Sequence, residues 1–181
     1  MKWKTIQWVR IVFLVGCLSL GGLRASSWAT EEELFDAVRS GDLARINALI
    51  FAKADVNAKD KKGFTALMYA SAAGQTEVVR ALIAAKADVN AKDKNGLTVL
   101  MYASVEGQTE VVRALIAAKA DMNAKDKKGF TALMYASAAG QTEVVRALIA
   151  AKADVNAKAK KGWTALMGAS AAGKTEVVRA L

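Results

Sequence analysis

Apolar residues recur along the chain in two short helical rhythms separated by polar turns. Leu67, Ala70 and Ser71 lie at i, i+3 and i+4 behind Thr65, whose short oxygen-bearing side chain suits a helix cap. That spacing predicts a short helix from Ala66 with one packing stripe, ended by Gly74. A second helix is predicted near Thr76, where Glu77 favours the positive helix N-terminus. Val78, Val79, Leu82 and Ile83 supply its apolar face, and Ala81, Ala84, Ala85 and Ala87 let neighbouring helices approach closely. The stretch that follows from Asp88 is polar or turn-forming. Asp60-Lys61-Lys62-Gly63 reads as a tight turn with Gly at its end.

This pattern returns every 33 residues. Asp60–Lys92 is repeated letter for letter at Asp126–Lys158, and Asp93–Lys125 differs only at a few positions, among them Asn95, Leu97, Val99, Val105, Glu106 and Met122. Ala159–Leu181 begins a further copy. Upstream, Leu34, Ala37, Gly41, Leu49 and Asp55-Val56-Asn57 fall in the same register. A lone unit orders its backbone at more cost than its few aliphatic side chains return, so stability requires stacking of neighbours. The expected fold is all-α, a solenoid of helix–turn–helix units joined by extended turn or hairpin loops. Its expected divisions are 30–59, 60–92, 93–125, 126–158 and a partial unit at 159–181. Thr30-Glu31-Glu32-Glu33 offers a capping box for the first unit, and Asp36, Arg39, Asp42, Arg45 and Asn47 make that unit the most polar, as a terminal cap should be. The last unit breaks off in mid-helix at Arg179-Ala180-Leu181, without a polar terminal helix, so a truncated gene or a fragment and a frayed end are expected.

Residues 1–29 follow a different rule. Lys2, Lys4 and Arg10 precede an apolar run from Ile11 to Leu23, and small and polar residues follow up to Ala29. Basic start, short apolar middle and small-residue end make a secretory signal, and the run is too short to cross a bilayer. Periplasmic or secreted localisation is expected. Leu14-Val15-Gly16-Cys17 also resembles a lipobox, which would anchor the chain to a membrane through a lipidated Cys17. The apolar run continuing past Cys17 favours ordinary cleavage after Ala29 instead. The mature chain would then hold no cysteine and no disulfide. The signal carries four of the basic residues and no acidic one, so the net charge of +9 falls to +5 beyond it. That is too modest to speak alone for nucleic acid.

The period, the D-x-x-G-x-T start, the G-x-T-E-V-V helix and the A-D-V-N end together resemble the ankyrin repeat family, over about Thr30 to Leu181. Three departures stand out. Thr65-Ala66-Leu67-Met68 replaces the family's T-P-L-H, so the hydrogen bonds of its histidine are expected to give way to thioether packing. Lys53, Lys86, Lys119 and Lys152 sit where the family usually has Gly, at a cost of about 1 kcal/mol each if the backbone there is left-handed. Ala159 replaces the Asp that opens each earlier turn.

Candidate chemistry is sparse. The chain has no His, no calcium-loop pattern and no glycine-rich phosphate loop, and its polar residues recur in like environments rather than as unlike groups brought together. No enzyme, cofactor, metal or small-molecule substrate is expected. Asp88, Asp121 and Asp154 read as turn-fixing residues beside Asn90, Asn123 and Asn156. Met68, Met101, Met134 and Met167 read as a core row, with a methionine groove as the alternative. Tyr69, Tyr102 and Tyr135, with Gly168 at the fourth position, fit exposed contacts or inter-unit packing equally.

The resemblance implies partner contact through the turn tips and the inward surface of the first helix. By register these are Lys61, Lys62, Phe64, Ala72 and Ala73, then Lys94, Asn95, Leu97, Val105 and Glu106. Lys127, Lys128, Phe130, Ala138 and Ala139 follow, and finally Lys160, Lys161 and Trp163. Phe64, Phe130 and Trp163 are expected as exposed rings anchoring a protein partner. The lysine column leaves a polyanion or membrane surface as the alternative partner, and a monomer is expected.

Overall fold

The computed structural model describes residues 27–181, so the signal and Cys17 lie outside the described residues. Ten α-helices occur among them: α1 Ser27–Ser40, α2 Leu43–Phe51, α3 Ala66–Ala72, α4 Thr76–Ala84, α5 Val99–Val105, α6 Thr109–Ala117, α7 Ala132–Ala139, α8 Thr142–Ala150, α9 Ala165–Ala171 and α10 Thr175–Ala180. They pair into five helix–turn–helix units, and each unit packs on the next, first helix on first helix and second on second. The core is one continuous cluster running through all five units. Connections are hairpin-like turns, and the one isolated β-bridge described pairs Lys92 with Thr98.

Local chemistry sets the helix starts. Thr65, Thr98, Thr131 and Thr164 take extended backbone, and each hydroxyl accepts the amide of the Met three residues on. In the second of these units the Thr98 amide also donates to Met101 Sδ at 3.4 Å. There the thioether does more than pack: it takes over a capping bond of the kind expected to be lost with histidine. Met68, Met101 and Met134 are buried, which settles them as core.

Lys53, Lys86, Lys119 and Lys152 are left-handed, with φ between 63° and 69°. The first four second helices thus end on a backbone conformation that L side chains adopt at a cost. The first unit departs from expectation. Helix α1 begins at Ser27, so Thr30 lies inside the helix rather than at its cap, and the expected cleavage point after Ala29 falls within its first turn. The final unit remains helical through Ala180.

Candidate partner-binding surface

Each of the first three turn tips is built by one aspartate. Asp60 Oδ1 accepts the amides of Lys62 at 2.8 Å and Phe64 at 2.9 Å, folding the chain back over itself. Asp93 holds Asn95 and Leu97 in the same way, and Asp126 holds Lys128 and Phe130. The second oxygen of each carboxylate is used as well. The hydroxyls of Tyr69, Tyr102 and Tyr135 donate to Oδ2 of Asp60, Asp93 and Asp126 at 2.7, 2.9 and 2.8 Å. A side chain nine residues along, on the first helix, therefore latches the tip onto its own unit.

The titration of these groups follows from that geometry. Burial, then the bond to Asp126, pushes Tyr135 up to about 12. Tyr102 is raised by burial and by its bond to Asp93, and Tyr69 chiefly by its bond to Asp60. Burial pushes the Asp60 carboxyl up, but the bonds from Tyr69 and from the Phe64, Lys62 and Gly63 amides outweigh it and leave it below the ordinary carboxylate range.

Successive tips are tied to one another. The Lys127 amide donates to the Asn95 carbonyl and the Lys160 amide to the Lys128 carbonyl, both at 3.0 Å. Lys94 Nζ reaches back to the Lys61 carbonyl. One register over, the Asn57, Asn90 and Asn123 carbonyl oxygens accept the amides of Asp88, Asp121 and Asp154 in the following unit. Those aspartates in turn fix their own loops through the amides of Asn90, Asn123 and Asn156. The result is a continuous ridge. Gly129 marks its tightest point: its φ is +87°, and a Cβ there would stand 2.9 Å from the Lys160 amide nitrogen.

On this ridge Lys61, Lys62, Lys94, Asn95, Lys127, Lys128, Lys160 and Lys161 are all exposed. Among the described residues no tip lysine forms an ion pair; the ion pairs present join Arg to Asp or Glu three residues away. Below the ridge, Ala73, Glu106 and Ala138 are exposed, and Ala72, Val105 and Ala139 are half-buried, giving a floor of small side chains interrupted by one carboxylate.

The rings depart from expectation. Phe64 and Phe130 are not exposed anchors: both are half-buried. Phe64 lies 5.3 Å from the Tyr69 ring and 5.1 Å from that of Tyr102, and Phe130 lies 5.7 Å from Tyr135. The tyrosine–aspartate bond draws each Tyr ring to the tip, where it covers the neighbouring Phe. Leu97 is half-buried at the same position. Trp163 alone of the three anchors is open, at 40% exposure.

The final tip explains that difference. Ala159 and Gly168 remove aspartate and tyrosine together, so both halves of the latch are gone. The turn becomes a short 3-10 segment, Lys160–Gly162, with Lys161 forced to φ 68°. Trp163 Nε1 stands 3.5 Å from where a Gly168 Cβ would lie, so the indole occupies room that a tyrosine would need. The coupling could have been read from the sequence, because Asp and a residue nine further on change together. Phe51, 89% exposed, was also missed. Its register positions Ala84, Ala117 and Ala150 are exposed alanines on the second helices, which signals that a ring there has nothing to pack against.

Among the described residues no three His, Cys, Asp or Glu side chains converge as metal ligands, and no helix is long and apolar enough to cross a membrane. A family described as Ankyrin repeats (3 copies) matches residues 34–126 and 115–181. No curated protein matches the chain.

Proposed function

The chain belongs to the ankyrin-repeat family, a family of protein–protein interaction modules that are typically non-catalytic scaffolds, and on that premise we propose that it is an exported scaffold. It grips a protein partner with its ridge of turn tips and the alanine-rich floor beneath. The observation that carries this reading is the rigid ridge. Tips latched by Tyr–Asp bonds and tied unit to unit hold their backbone in fixed register, so little backbone ordering entropy is lost when a partner docks. Trp163 supplies the apolar anchor and the lysines the surrounding polar rim. Export rests on the tripartite character of residues 1–29.

The tip lysines, none of them in an ion pair among the described residues, favour one second reading, adsorption of a polyanion or an anionic lipid surface. The two are separated by a binding isotherm at low and high salt with a crosslinked envelope partner. Counterion release makes polyanion affinity fall as a power of salt concentration. On the scaffold reading, Trp163→Ala weakens binding at least about tenfold, as loss of an interface hot spot does, and salt changes affinity little. If Lys61/Lys62/Lys127/Lys128→Ala abolishes binding, Trp163→Ala does not and salt dependence is steep, the polyanion reading replaces it.

A further inference from the structure

Every turn tip closes on a glycine, and the residue before it differs in one of them. Gly63, Gly96, Gly129 and Gly162 all have positive φ, and a Cβ on Gly96 would stand 3.1 Å from the Lys127 amide nitrogen. The fold therefore holds glycine at this place in the second tip. Lys62, Lys128 and Lys161 precede it in the other tips, whereas Asn95 precedes Gly96. Each of the other five asparagines of the chain is followed by alanine.

The surroundings set Asn95 apart as well. It is exposed, and its side chain makes no hydrogen bond among the described residues. The side-chain oxygens of Asn57, Asn90 and Asn123 instead hold amides of the following unit at 2.7, 2.8 and 2.8 Å. Asn47 lies inside helix α2, and Asn156 precedes the buried Ala157.

We propose that Asn95-Gly96 is a self-modification site, at which the second tip turns from neutral to acidic as the protein ages. The Gly96 amide nitrogen loses its proton to solvent and attacks Asn95 Cγ. An N–Cγ bond forms, the Cγ–Nδ2 bond breaks, and the side-chain nitrogen leaves as ammonia. Water then opens the cyclic imide at either carbonyl, giving aspartate or isoaspartate with no change of oxidation state. Glycine matters because it has no Cβ to crowd the attacking nitrogen. The Gly96 amide donates to the Asp93 carbonyl at 3.1 Å, so this turn bond opens first. Exposed turns open at a free energy well below that of global unfolding. Both products place a carboxylate in the lysine column. Along the isoaspartate route the main chain runs through the former side chain and gains a methylene. The Asn95 carbonyl, which takes the Lys127 amide at 3.0 Å, then becomes a pendant carboxylate, and the tie between second and third tips loosens.

The inference does not depend on the partner-binding reading, and the purified full chain tests it without a partner. The chain is incubated at mildly alkaline pH in heavy-oxygen water, digested at acidic pH and mapped by mass spectrometry. Acid is expected at Asn95 at least about tenfold faster than at any other asparagine, a barrier difference of about 1.4 kcal/mol. Each converted chain gains a heavy oxygen, and a protein isoaspartate methyltransferase labels part of the product. Asn95→Lys installs the residue type of the neighbouring tips, so it should remove that labelling and leave the circular dichroism spectrum unchanged. The urea-unfolded chain converts faster than the folded one, because the turn bond is gone. Conversion seen only in urea, conversion led by another asparagine, or methyl labelling that persists in Asn95→Lys would overturn the proposal.

Discussion

Removing one half of a tip latch tests the central structural claim. In Tyr102→Phe the ring stays while the hydroxyl that donates to Asp93 Oδ2 at 2.9 Å is lost. Hydrogen bonds to charged groups contribute about 1.5–3 kcal/mol. Asp93 Oδ1 keeps its two amide donors and Tyr102 is only half-buried, which places the cost near the lower end, about 1.5 kcal/mol. Asp93→Ala loses the tyrosine bond and both amide bonds, three in all, so at the same lower-end value it should cost about 4.5 kcal/mol. In the double variant the shared bond is counted once, giving a coupling of about 1.5 kcal/mol. For an array of this size, Tyr102→Phe lowers Tm by about 3–6 °C. Urea unfolding followed by far-ultraviolet circular dichroism on all four chains gives the cycle. Strict additivity, with coupling under about 0.3 kcal/mol, would refute the latch.

Other perturbations follow from the same geometry. Lys86→Gly and Lys119→Gly each relieve a left-handed side chain and should stabilise the fold by about 1 kcal/mol, read as a higher urea midpoint with unchanged slope. Gly129→Ala places a methyl 2.9 Å from the Lys160 nitrogen at positive φ, and a loss of at least about 1 kcal/mol is expected in the same assay. Stability should also fall at both pH extremes. Tyr135 is held near 12, so its stabilisation is complete below the ordinary tyrosine value of 10.0 and fades as pH rises from there through 12, because the unfolded chain loses the proton first. Asp60 is depressed, so its contribution is present above the ordinary 3.8 and fades as pH falls below it. Thermal melts across pH should bend at both limits, and Tyr69→Phe/Tyr102→Phe/Tyr135→Phe should flatten the alkaline limb.

What the sequence determined by itself was everything that repeats. The 33-residue period set the unit, the Thr caps and glycines set helix ends, and the apolar stripes set which faces meet, because each is a local rule applied to neighbouring residues. The tip lysines and the small-residue floor were legible too, since register alone places them. Tertiary structure decided what happens between side chains distant along the chain. It turned Tyr69, Tyr102 and Tyr135 toward aspartates nine residues earlier, and so covered Phe64 and Phe130, which the family register had placed at the tips as exposed rings. It also separated Leu166 from Leu133, two residues in the same Thr-Ala-Leu-Met segment of successive units with opposite exposure. Burial in a stack belongs to the neighbouring unit rather than to the residue, and no local pattern can report whether that neighbour is there.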